Sequence, residues 1–486
     1  MSERDFLKHP AWRGEELGLP LPAAPHGVSV ALPRWQDVIG YEEKRPEVTA
    51  RMTSGYPRFV IHPLVRELAA GVGRGSPCLA FPSARVADAA ADYVRRVADA
   101  PAEVRLASGF SVVVTDQAGS KALQAFWQHA GQIVSSRQAQ ALLEERPDLA
   151  EAETIRRELR QGLAALYDCA EEDIFLTPTG MAAHYAALRA VTARAPGLAT
   201  AQLGFPYVDT LKIQQQFGSG VALLHDLNHV ADDLRRLLAE RRLAGAFCEV
   251  PGNPLLGSAD LRVVTPLLRA HGVPLIADDV VATPFNVDLG PHADLIATSL
   301  TKYLVGTGDA MGGALICNPR SPLHAALKAI VQRQHEELLW GEDAAVLARE
   351  LKGFPDRMRR HNANGLAIAE RLRAHPAIER VWYPKWEFSD AYEAVRRTDG
   401  GWSSLITFLP RNAEATAARI YDALEVCKGP SLGTVFTLAC PFTLLAHYTE
   451  LDWVESCGVP RNLIRLSVGL EDVEELWGRI ERALTK

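Results

Sequence analysis

From Pro77 onward the chain alternates short, continuously apolar runs with stretches whose apolar residues recur at helical spacing. Cys78-Leu79-Ala80-Phe81 and Ser111-Val112-Val113-Val114 predict strands, and Val86 to Val97 predicts a helix between them. Ile155 to Tyr167 predicts another helix. Between about Asp173 and Cys317 the alternation becomes regular. Ile174-Phe175-Leu176 precedes an Ala-rich helix, Ala182–Val191, and the strands Gly245–Glu249, Pro274–Ala277, Leu295–Thr298 and Gly313–Ile316 follow. Strands apolar on both faces, separated by helices, predict an α/β fold with a mainly parallel sheet covered on both sides. Ligands of such sheets sit at the carboxyl ends of the strands. A long helical stretch spans about His324 to His375. The remainder mixes a strand (Ser404–Phe408) with helices (Ala413–Leu424, Val473–Leu484), the pattern of a smaller C-terminal α/β domain.

The first 55 residues are punctuated by Pro20, Pro22, Pro25 and Pro33, which disfavour a long helix. Residues 1–75 are therefore expected to form an arm that contacts a neighbouring subunit. Residues 76–335 form the expected large domain, with an inserted α/β segment at about 77–150, and 336–486 the small domain.

Composition narrows the classes. Hydrophobic residues make up 48% of 486, enough for a large core, and the net charge of −7 gives no general attraction to nucleic acid or an anionic membrane. No apolar run approaches the roughly 20 residues of a membrane span. The start, Met1-Ser2-Glu3-Arg4-Asp5, lacks a secretory h-region. Seven cysteines without a C-x-x-C pair fit reduced thiols in a cytoplasmic protein. Asp278-Asp279 has no further carboxylate cluster near it in sequence, so no metal site is expected.

The chemistry concentrates at Ser299-Leu300-Thr301-Lys302, which follows a predicted strand and precedes a glycine-rich segment. A lysine there can hold an aldehyde cofactor, and the hydroxyls of Ser299 and Thr301 can bond its phosphate. Upstream, Asp278 ends an apolar strand and can pair with a protonated pyridine nitrogen. Thr179-Gly180-Met181 joins a strand to a helix and can offer backbone N–H groups to a phosphate. In this order, the three point to pyridoxal 5′-phosphate.

Several further stretches carry a resemblance: Thr53-Ser54-Gly55-Tyr56-Pro57-Arg58-Phe59, Gly204-Phe205-Pro206-Tyr207-Val208-Asp209-Thr210, Gly429-Pro430-Ser431-Leu432-Gly433-Thr434, and Ile464-Arg465-Leu466-Ser467-Val468-Gly469. With them the chain resembles the cystathionine γ-synthase/γ-lyase family of cysteine and methionine metabolism, and most of all its long, fungal-type synthases. The resemblance implies the fold type I of pyridoxal phosphate enzymes, with a seven-stranded-type sheet. It implies that Lys302 forms the Schiff base and carries protons, that Asp278 meets the pyridine nitrogen, and that Tyr207 stacks on the ring and shares the proton traffic as a tyrosinate. Asn253 would lie near the ring hydroxyl. Gly180, Met181, Ser299 and Thr301 would bind the phosphate, joined by Tyr56 and Arg58 from the neighbouring subunit. Arg465, with Ser431 nearby, would hold the substrate carboxylate.

Three departures stand out. Val208-Asp209 replaces a Gly-Gly pair, Asp279 replaces an Asn, and Pro430 stands where many short relatives carry a Glu that contacts the distal end of the substrate. The implied activity is γ-replacement on an activated homoserine. The alternatives are γ-elimination, including alkyne formation from a haloallylglycine, and a non-catalytic protein of the same fold. The implied partners are an amino-acid substrate and further copies of the chain, as a dimer or a dimer of dimers with shared sites.

Overall fold

The computed structural model describes residues 4–485. Seven strands form the central sheet in the order Ile174–Thr177, Gly313–Cys317, Leu295–Ser299, Leu275–Asp278, Ala246–Glu249, Thr200–Leu203, Val221–Leu224. Neighbours run parallel except Gly313–Cys317, which is antiparallel to both of its partners. Successive strand residues point to opposite faces, so the apolar runs feed two cores. Leu176, Ala277 and Ile296 pack with Leu159 and Leu163 of the helix Ala152–Tyr167 on one face. Phe175, Phe247, Ile276 and Leu315 pack with Leu188 and Val191 of the helix Gly180–Arg194 on the other.

The inserted segment is a three-stranded antiparallel sheet, ordered Cys78–Phe81, Phe110–Thr115, Ala102–Ala107, with the helices Ala84–Ala98 and Gln117–Ala130. Phe81, Val94, Phe126 and Trp127 form its core. The strand Ala102–Ala107 escapes the sequence pattern because it is a largely exposed edge, with Leu106 73% accessible.

The predicted helical stretch 324–375 is three helices, His324–Gln334, Gly341–Leu351 and Phe354–Ala374. This moves the boundary placed at 335/336. Ala344, Leu347 and Leu351 belong to the large-domain core. Leu351 lies over Gly162 of the helix Ala152–Tyr167, where a Cβ would come within 2.9 Å of it. The small domain is a five-stranded sheet, ordered Ile378–Trp382, Leu405–Pro410, Ile464–Ser467, Leu438–Cys440, Cys427–Lys428.

The arm packs on its own chain. Leu32 N donates to Lys428 O at 2.8 Å, Tyr421 Oη to Leu32 O at 2.7 Å, and Val28 N to Gly308 O at 2.8 Å. The helix Trp35–Glu42 follows, with Trp35 edge-on to Tyr421 and its N–H on Asp422. Apolar side chains at Val30, Leu32, Trp35 and Val38 give this segment a face that the small-domain core buries. No helix among the described residues is long and apolar enough to cross a membrane.

Candidate active site

The carboxyl ends of the large-sheet strands open into a cavity lined by Tyr56, Arg58, Gly180, Met181, Tyr207, Asn253, Asp278, Ser299, Thr301, Lys302, Ser431 and Arg465. All the residues singled out from the sequence therefore meet in one place. Lys302 lies three positions beyond the strand Leu295–Ser299. Its Nζ donates to Ser431 Oγ at 2.8 Å and to Tyr56 Oη at 3.0 Å. Burial depresses the lysine, against the pull of Tyr56, which favours the free amine a Schiff base needs. Gly433, at φ +72°, lets the small-domain loop close on this turn, since a Cβ there would lie 2.6 Å from Tyr303 N.

The N-terminus of the helix Gly180–Arg194 faces the cavity, capped by Thr179, whose Oγ1 accepts from Ala182 N at 3.1 Å. The first-turn N–H groups at Gly180 and Met181 are free of intrahelical partners by position and suit a phosphate. Gly180 approaches Ser299 so closely that a Cβ would come within 2.6 Å of Ser299 Cβ.

Asp278 and Glu249 are register partners on adjacent strands, so both side chains emerge on one face. His184, one helical turn beyond Gly180, brings Nε2 to 2.9 Å from Asp278 Oδ2 and Nδ1 to 2.9 Å from Gly180 O. Burial opposes charge on this imidazole, but Asp278 outweighs it and raises His184 above its ordinary value. Burial and the Asp278 carboxylate push Glu249 up to about 8, while its oxygens accept from Tyr207 N at 2.6 Å and Asn253 N at 3.0 Å. Asp279 turns to the opposite face and accepts from Tyr167 Oη at 3.0 Å. Sequence reading missed His184 and Glu249; each is a polar residue within an otherwise apolar element, and that was the available signal.

Arg465 is 5% exposed. Its guanidinium donates to Ser431 O at 2.7 Å and Asn253 Oδ1 at 3.2 Å and lies over the Phe442 ring. Among the described residues no carboxylate pairs with it. A buried guanidinium with only neutral partners has the charge and the planar donors to suit a carboxylate from outside the chain.

Tyr56 and Arg58, expected from a neighbouring subunit, line the cavity of their own chain. The arm leads them there, with Ser54 Oγ on Gly27 O at 2.8 Å, and buried Asp209 ion-pairs with Arg58. Arg58 also donates to Tyr207 Oη at 2.8 Å and Gln128 O at 3.1 Å, and His129 Nδ1 lies 2.9 Å from Asp209 Oδ1. The acidic phenol is also not the expected one. Burial and Asp209 hold Tyr207 far above its ordinary value. Burial works against ionisation of Tyr56 too, but Lys302 and Arg58 pull it down to about 8.

Residues 152–485 match the model of the family "Cys/Met metabolism PLP-dependent enzyme", and residues 60–135 that of the "Fungal trans-sulfuration enzyme, N-terminal domain". The chain belongs to the Cys/Met metabolism family of pyridoxal phosphate-dependent enzymes. It is 34% identical to a cystathionine γ-synthase of Neurospora crassa, over 96% of this chain and 98% of that one. It is also 34% identical to the L-2-amino-4-chloropent-4-enoate dechlorinase/desaturase of Streptantibioticus cattleyicolor, over 94% and 95%. The cystathionine γ-synthase of Xanthomonas oryzae pv. oryzae, solved with aminoacrylate and cysteine, superposes with a TM-score of 0.60 at 27% identity, covering 68% of this chain and 85% of that one. The cofactor is thus pyridoxal 5′-phosphate, and the cavity fits it: an amine, helix-end amides, hydroxyls and a carboxylate are among its lining groups.

Proposed function

We propose that this enzyme performs γ-replacement on an activated homoserine, as a cystathionine γ-synthase does. The observation that carries the reading is the convergence of Lys302, Tyr56, Ser431 and Arg465 in one cavity, in a chain similar to such a synthase over nearly its whole length. Bound pyridoxal phosphate supplies the electron sink for a carbanion at the substrate's α carbon. Lys302 would hold the cofactor aldehyde. Gly180, Met181, Ser299 and Thr301 would bind its phosphate, Asp278 its ring nitrogen and Asn253 the side of its ring hydroxyl, with Tyr207 against the ring. Arg465, held by the Ser431 carbonyl that accepts from it, would orient the α-carboxylate, which aims the Cα–H and Cβ–H bonds at Lys302 Nζ. Tyr56, 3.0 Å from that nitrogen, takes and returns its proton. Self-association and a cytoplasmic location complete the reading. The family resemblance supports the first and seven free cysteines the second.

γ-Elimination is the second reading. It is favoured by the similarity to the dechlorinase/desaturase and by Pro430 at the position of a substrate-contacting Glu. Incubation with O-acyl-homoserines, cystathionine or a haloallylglycine, with and without cysteine, followed by mass spectrometry, decides. Cysteine-dependent formation of cystathionine is expected. Formation of a keto acid or alkyne whether or not cysteine is present would overturn the first reading.

A further inference from the structure

The active-site cavity continues into a second chamber. Tyr41, Glu42, Phe59, Val208, Leu445 and Ala446 line both. Five of these six carry no formal charge, and the sixth is a carboxylate. Glu42 ends the helix Trp35–Glu42, which is fixed at its other end by Trp35 on Asp422 and Tyr421, so the carboxylate is held at the join. Among the described residues it has no hydrogen bond and no ion pair, unlike its neighbour Glu43, which binds Arg45 and Tyr448. Burial pushes Glu42 up to about 8, with Lys44 the only charge that opposes the shift. A carboxyl desolvated without a partner costs stability, and a cationic ligand repays that cost only when it is present.

Arg465, the candidate receptor for the substrate α-carboxylate, lines the active-site cavity but not the second chamber. That leaves the chamber as the space for a second amino acid. Pro430, which lines the active-site cavity, has no charge to offer at the position where many short relatives carry a Glu.

We propose that Glu42 binds the ammonium group of the second amino acid: the α-amino group of the thiol acceptor, which is also the distal amino group of the cystathionine formed from it. The inference rests on the γ-replacement reading and adds the recognition of the acceptor to it.

The test is a ligand cycle on the holoenzyme. Apparent Kd is read from the cofactor absorbance change in rapid mixing, before turnover. The ligands are L-cystathionine and S-(2-carboxyethyl)-L-homocysteine, which lacks only the distal amino group. The wild-type enzyme should bind cystathionine at least tenfold more tightly, and in Glu42→Gln the preference should fall to within about twofold. Equal binding of the two ligands by the wild type, or a preference that survives in Glu42→Gln, overturns the proposal. The wild-type comparison stands even if the variant does not fold. Product analysis separates this from the parent reading. An enzyme that forms cystathionine but ignores the distal amino group refutes Glu42 alone, whereas one that forms no cystathionine refutes γ-replacement.

Discussion

Asp209→Asn tests the buried charge network that ties the arm to the site. Asp209 is fully buried and ion-pairs with Arg58, itself 3% exposed, while His129 holds its other oxygen. Burial alone would raise this carboxyl, but Arg58 and His129 more than offset it and hold it far below the ordinary carboxylate range. Removing one member of a buried pair costs about 3–5 kcal/mol. Arg58 keeps Tyr207 Oη and Gln128 O as acceptors in the variant, so a loss of about 3 kcal/mol, the lower end of that range, is expected. Urea unfolding of the apoprotein, followed by tryptophan fluorescence, measures the difference. A group with a depressed folded pKa stabilises fully above its unfolded value of about 3.9, and that contribution disappears as the pH falls through the folded value. The gap between wild type and Asp209→Asn should therefore be constant from about pH 5 to 8 and shrink below about pH 4. Equal stability at neutral pH, or a gap undiminished in acid, would refute the network.

Arg58 and Lys302 line one cavity of the single chain, so mixing Lys302→Ala with Arg58→Ala, after verified subunit exchange, should restore no activity; recovery would assign Arg58 to the neighbouring subunit's site. Asp278→Asn should nearly abolish α-proton exchange of a bound amino acid, measured by NMR in deuterated solvent, and Asp279→Asn should be milder; the reverse order would exchange their roles. In the apoprotein a phenolate absorbance should titrate near pH 8 and vanish in Tyr56→Phe; its persistence in that variant would assign the acidic phenol elsewhere.

The strands of the large sheet were legible because each is a short run apolar on both faces, and a parallel sheet brings all their carboxyl ends to one rim. That geometry is why Asp278, Gly180 and Lys302 could be read as one site from positions far apart in sequence. Glu249 and His184 were not legible, since a single polar residue in an apolar strand or helix means little until the register shows what stands beside it. The direction of the arm was also hidden. Prolines mark a segment as irregular but do not say which surface will cover Val30, Leu32 and Trp35. The inversion between Tyr207 and Tyr56 had the same origin, because the acidity of a phenol depends on whether Asp209 or Lys302 is its nearer neighbour.

In the role proposed for Arg465, a guanidinium recognises charge and a plane, and nothing of the molecule behind the carboxylate. Any small acid anion that reaches the cavity is therefore a rival for the seat, including the acetate or succinate that an O-acyl-homoserine releases. The released acid should act as a brake on its own formation, easing only as it diffuses away. Carboxylate buffers should raise the apparent KM in proportion to their concentration, while sulfonate zwitterions of the same ionic strength should not. The choice of buffer thus becomes a direct readout of how open this receptor stands between turnovers.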